Sequence, residues 1–221
     1  MEKKIHFNDY ENANAIINGM DDCVDEFVEA FVELHEKPLT NEYMYEWILR
    51  SLEDIVKVNH SVLHVACVTA GYTRLFRYMK RFVGIDFSKK MIDAAKRIHE
   101  NGSIEYEFHC TTLENFKTTE KFDVIFMGPY GHYVPYTDEA LQKAKYLLKE
   151  DGWIICTHPD PEFPTFLSIV KECLKQLIFH KRVGFSPVKR FEKLLNGNAL
   201  EIWMNMQIKT STGKAKCYFV R

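Results

Sequence analysis

The chain has 221 residues, 46% hydrophobic and 27% charged, the make-up of one soluble globular domain with room for a small cap and a core that needs no disulfides. Its net charge of −2 argues against a nucleic-acid binder, and no run approaches the roughly 20 apolar residues that cross a bilayer. The opening MEKKIHFNDY has no apolar secretion segment, and the six cysteines (23, 67, 110, 156, 173, 217) contain no C-x-x-C pair, so free buried thiols in a reducing cytoplasm are expected, with no disulfide frame and no metal site.

Residues 1–60 carry 14 acidic and 5 basic side chains, and the remainder 17 acidic and 24 basic. An acidic N-terminal layer on a mildly basic core is expected, or an acidic lid that favours a cationic substrate. Within that segment Val24, Phe27, Val28, Phe31 and Leu34 recur at helical spacing, as do Tyr43, Trp47, Ile48 and Ile55 after Thr40. From residue 61 the rhythm changes to short apolar runs alternating with amphipathic stretches. Strands are expected at 61–67, 81–85, 103–109, 122–127 and 152–158, and helices at 72–80, 88–100 and 138–149. This alternation implies a doubly wound, mostly parallel sheet. Ser88 reads as the cap of the second helix and Gly152 as the stop of the third. Further on, Phe166, Ile169, Val170, Cys173 and Leu177 outline another helix. SPVKRFEKLLNG has the start and stop of one more, with Ser186 as cap, Pro187 in the first turn and Gly197 at its end. LEIWMNMQIK and AKCYFV, joined at STGK, form an antiparallel hairpin.

The stretch VLHVACVTAGYTRLF, residues 62–76, runs from strand through a tight turn into a helix. Such a turn aims free backbone N–H groups and the positive helix end at a polar ligand, and glycine is favoured there because side chains block close approach. Ala66, Val68 and Ala70 stand where those glycines would be, followed by Gly71. Of these Val68 departs most, because a β-branched residue resists positive φ. FVGIDFSKKMIDAAK then places Asp86 20 residues after Ala66, the separation at which an acid meets ribose hydroxyls. Its carboxylate suits a vicinal diol, and Ser88 is the better placed of the two for capping.

A helical N-terminal segment, five strand–helix alternations and a closing hairpin together resemble the class I S-adenosylmethionine-dependent methyltransferases, over about residues 60–221. The resemblance implies a Rossmann-like, doubly wound, seven-stranded sheet in the order 3-2-1-4-5-7-6, with the seventh strand antiparallel, and divides the chain into a helical cap (1–60) and a cofactor-binding core (61–221). The family's pattern is acidic-x-G-x-G-x-G, and His64 stands where its acid would be. It implies S-adenosylmethionine as cofactor, bound by Ala66, Cys67, Val68, Ala70, Gly71 and Asp86. Phe87 and Met91 would flank the adenine, with Cys110, Thr111, Met127 and Gly128 completing the pocket. The family's usual acid near Cys110 is absent, which leaves Thr111 and backbone groups to hold the adenine edge.

After the fourth strand, GPYGHYVPY gathers Tyr130, His132, Tyr133 and Tyr136 within seven residues. Such a loop lies where open α/β sheets present ligands. His132 is the candidate general base and Tyr130 the candidate orienting hydroxyl. Tyr10, Tyr133 and His158 are candidate substrate contacts, with Asp160 secondary. The stretch lacks the D/N-P-P-Y/F signature of enzymes that methylate nucleic-acid bases or protein amides, which favours a small-molecule acceptor; with the charge and the absence of a long apolar run, no nucleic-acid or membrane partner is expected. A nicotinamide-dependent reductase, a non-catalytic or S-adenosylhomocysteine-binding module on the same fold, and an aminocarboxypropyl transferase stay open. The oligomeric state is not addressed by these patterns.

Overall fold

A computed structural model describes residues 55, 59–71, 73, 76, 79–128, 136–160, 188–210 and 213–221. The expected N-terminal helices, most of the 72–80 helix, the 129–135 loop, the 166–177 helix, Ser186 and Pro187 lie outside the described residues.

Seven strands form one sheet: β1 Ser61–Val65, β2 Arg81–Asp86, β3 Glu105–Cys110, β4 Phe122–Met127, β5 Leu148–Asp160, β6 Ile202–Thr210 and β7 Gly213–Val220. Their order is β3-β2-β1-β4-β5-β7-β6, as expected. β7 runs antiparallel to both β5 and β6, whereas β1, β2, β3, β4 and β5 pair in parallel. Helices α1 Lys89–His99, α2 Asp138–Leu147 and α3 Val188–Gly197 pack on it. The fold is Rossmann-like and doubly wound.

The central strands are buried on both faces, which is why β1 reads SVLHV without alternation. One face carries Leu63, Val65, Ile85, Ile125 and Met127 and meets Leu141 and Leu147 of α2 and Phe191 and Leu195 of α3. The other carries Val62, Phe82, Val124, Phe126 and Ile155 and meets Ile92 and Ala95 of α1. Chain order reverses between β1 and β4, which sets the crevice of the sheet at their carboxyl ends.

Several boundaries differ from the sequence reading. β1 stops at Val65, because Ala66 leaves the strand for a left-handed backbone, φ 54°. α2 ends at Leu147 and the chain passes directly into β5, with the Leu148 N–H donating to the Lys145 carbonyl. Gly152 is therefore not a helix stop. It lies inside β5, beside a register shift in the β4–β5 ladder, and a Cβ there would press on Leu148 and the Asp123 carbonyl. α3 ends at Gly197 as read, and the left-handed position beyond it falls on Ala199, φ 51°. Ser88 caps α1 as read, its hydroxyl accepting from the Met91 N–H at 3.4 Å.

Candidate functional site

The turn after β1 keeps the shape of a glycine turn without the glycines. Ala66, Val68 and Ala70 have φ of 54°, 53° and 61°. A residue with a Cβ gives up about 1–2 kcal/mol in this region, and a β-branched one is the least suited to it. The resistance expected of Val68 is thus overcome. The turn rests on β2, the Cys67 N–H donating to the Ile85 carbonyl at 3.0 Å. It then tightens through i→i−3 bonds, from the Ala70 N–H to the Cys67 carbonyl (2.7 Å) and from the Thr73 N–H to the Ala70 carbonyl (3.0 Å).

At the end of β2 the buried Asp86 faces this turn. Its Oδ2 accepts the Val68 N–H at 3.0 Å and its Oδ1 the Ser88 N–H at 2.9 Å. Cys67 is fully buried beside Asp86. Burial first, and the neighbouring carboxylate second, push its thiol well above the ordinary range, so it is a neutral packing group.

The remaining residues expected at the adenine end gather around Asp86. Thr111 donates its N–H to the Asp86 carbonyl at 2.8 Å, and the Cys110 thiol lies 3.2 Å from the Phe87 carbonyl. Met91 is buried on α1 and Phe87 half-buried. Cys110 corrects the expectation of a buried thiol. It is exposed, because it ends β3, an edge strand of the sheet.

Met127 ends β4 and Gly128 follows it in the turn; both are buried. There the structure supplies two groups that the sequence reading did not assign. The Tyr136 hydroxyl sits 2.9 Å from the Met127 carbonyl and 3.0 Å from the Thr157 carbonyl, and the Thr157 hydroxyl bonds the Gly128 carbonyl. Together they tie the carboxyl ends of β4 and β5. Tyr136 was visible only as one ring of a cluster, since what it ties is brought together by the sheet. Tyr136→Phe should lower stability by about 1–2 kcal/mol, read from the denaturant midpoint. No loss would remove this tie from the account.

His158 is buried and stacked on Phe191 of α3, centroids 4.6 Å apart. Tyr10, Tyr130, His132 and Tyr133 lie outside the described residues. His64 is fully buried, its ring 4.8 Å from that of Phe126 and 5.9 Å from that of Phe82. Burial lowers its pKa to about 3, so an uncharged ring stands where the resemblance expects an acid. Among the described residues no three His, Cys, Asp or Glu side chains gather to hold a metal ion, and no helix is long and apolar enough to cross a membrane.

A family described as a methyltransferase domain matches residues 57–206. The chain belongs to that family. With this match and its strand order it is a class I S-adenosylmethionine-dependent methyltransferase by family. Among curated methyltransferases, the ubiquinone biosynthesis O-methyltransferase of Pelagibacter ubique is 25% identical over 155 residues, covering 67% of this chain and 60% of that protein. The chain spans 32% to 60% of the length of the curated relatives it matches. Among solved structures, an S-adenosylmethionine-dependent methyltransferase from Clostridium acetobutylicum superposes with a TM-score of 0.64 at 16% identity, covering 90% of this chain and 98% of that one. The N-methyltransferase NodS from Bradyrhizobium japonicum, solved with S-adenosylhomocysteine, has a TM-score of 0.60 at 16% identity and covers 80% and 84%. At such identities these methyltransferase structures speak for the fold.

Proposed function

We propose that this chain transfers a methyl group from S-adenosylmethionine to a small-molecule acceptor. The observation that carries the reading is the left-handed turn Ala66–Val68–Ala70 set against the buried carboxylate of Asp86 at the carboxyl edge of the sheet. S-adenosylmethionine, when bound, supplies an electrophilic sulfonium methyl group.

In this reading the chain's own residues bind, align and exclude water, which is most of what an in-line displacement asks of a protein. The backbone of Ala66, Cys67, Val68, Ala70 and Gly71 cradles the amino-acid end. Asp86 accepts from the ribose hydroxyls. Phe87 and Met91 would flank the adenine, with Cys110, Thr111, Met127 and Gly128 completing the pocket. On the acceptor side, His132 takes the proton from a hydroxyl or amine, Tyr130 orients the acceptor, and Tyr10, Tyr133 and His158 shape its pocket. Residues 1–60 belong to the proposal as a cap and 61–221 as the core. The O-methyltransferase names of the curated relatives support a small acceptor, and no nucleic-acid partner is invoked. A reducing compartment such as the cytoplasm belongs to the proposal, since the sequence has no C-x-x-C pair.

Calorimetric titration with S-adenosylmethionine, S-adenosylhomocysteine and NADH in parallel tests the reading. The two sulfur nucleosides should bind and NADH should not. Binding of NADH alone would overturn it.

A further inference from the structure

We infer that Asp86 is a positioning residue that holds the glycine-poor turn in its left-handed shape, in addition to any contact with ribose. The inference rests on the proposed cofactor and deepens the reading of the same site. Val68 has the backbone least suited to its side chain, and its N–H is the one that reaches Asp86 Oδ2, at 3.0 Å. The turn is closed from the Ala70 N–H to the Cys67 carbonyl at 2.7 Å, so relaxing φ at Val68 either breaks that bond or rotates the Cys67–Val68 peptide plane, and with it that N–H, away from the carboxylate. The other oxygen is anchored independently, by the Ser88 N–H at 2.9 Å at the start of α1. The Asp86 backbone carbonyl is fixed by the Thr111 N–H. The carboxylate is therefore a rigid, buried acceptor that does not follow the turn if the turn moves.

A glycine turn has no such need, because glycine adopts positive φ without a steric cost. In this chain the acid at the end of β2 takes over part of the work that glycines do elsewhere. Two side chains that look like separate departures and matches, Val68 and Asp86, are one device. Holding the turn is distinct from binding ribose, because it acts in the unliganded protein and depends on which residue occupies position 68.

A double-mutant cycle separates the two. Asp86→Asn leaves a single carbonyl oxygen, so one of the two N–H groups faces an amide NH₂. In the otherwise native chain this variant should weaken S-adenosylhomocysteine binding by about 30- to 100-fold, part from ribose and part from the turn. In the Val68→Gly background the same change should cost tenfold or less, because the glycine turn holds itself. Equal factors in both backgrounds would overturn the inference and leave Asp86 as a ribose ligand alone. Absence of S-adenosylhomocysteine binding to the native chain would instead sink the proposed cofactor, which keeps the two failures apart. The melting temperature of the unliganded protein gives a readout that needs no ligand. Asp86→Asn should lower it more in the otherwise native chain than in the Val68→Gly background, a variant soluble only in that background counting the same way, and equal losses would overturn the inference.

Discussion

Acidification from pH 6.5 to 4.5 should remove about 2–3 kcal/mol of stability through His64 alone. Burial holds its folded pKa at about 3, against an ordinary value of 6.5. The unfolded chain therefore binds a proton throughout this window and the folded chain does not. Stability from this group is complete above pH 6.5 and is lost as pH falls towards 3, at about 1.4 kcal/mol per unit. The cause is local. The ring is wholly enclosed on β1, an inner strand of the sheet, against Phe82 and Phe126, where an imidazolium is cut off from solvent. His64→Leu keeps the volume and removes the titration. Denaturant unfolding at several pH values should show a clearly flatter profile for the variant between 6.5 and 4.5. Parallel profiles would mean that His64 charges in place.

Gly84→Ala should destabilise the fold by about 2–3 kcal/mol through overpacking. A Cβ on Gly84 would lie 2.7 Å from Cδ1 of Phe108 and 2.9 Å from Sγ of Cys67. Neither neighbour can yield easily. Phe108 is buried and pairs with Gly84 across the β2–β3 ladder, and Cys67 is buried in the turn. Pushing on Cys67 moves the backbone proposed to cradle the cofactor, so S-adenosylhomocysteine affinity should fall about tenfold as well. A second change, Phe108→Leu, opens space on one side and should recover part of the stability while leaving the pressure on Cys67. A melting temperature equal to that of the native chain would show that the sheet opens at Gly84 at no cost.

These two positions show where sequence reading reached its limit. The apolar runs around His64 and Gly84 mark buried strands, because a parallel sheet covered on both faces leaves no alternation to read. The runs do not say that His64 faces Phe126, nor that Gly84 leaves room for the Cys67 sulfur. Those are contacts between segments that only the folded sheet brings together. Cys110 shows the same limit from the other side. A small apolar residue at a strand end reads as buried, and only its place on β3 at the sheet edge exposes it. The helix stop assigned to Gly152 failed for a related reason. Glycine after a lysine-bearing helix is a local signal, and here the chain enters β5 before reaching it.

The sequence by itself determined the strand–helix alternation, the closing hairpin, Ser88 as a cap, and Asp86 at the spacing of a ribose acid. All of these depend on periodicity and short-range backbone chemistry, which neighbours in the chain dictate. Only the tertiary structure decided how the turn works. From the letters, Ala66, Val68 and Ala70 read as an eroded glycine motif. In the fold all three keep the left-handed backbone of glycine, and β2 presents the Ile85 carbonyl to the Cys67 N–H and the Asp86 carboxylate to the Val68 N–H. A residue's own preference for φ is worth about 1–2 kcal/mol, which tertiary contacts of this kind can offset. Such partners are 18 residues away in sequence, beyond the reach of any local rule.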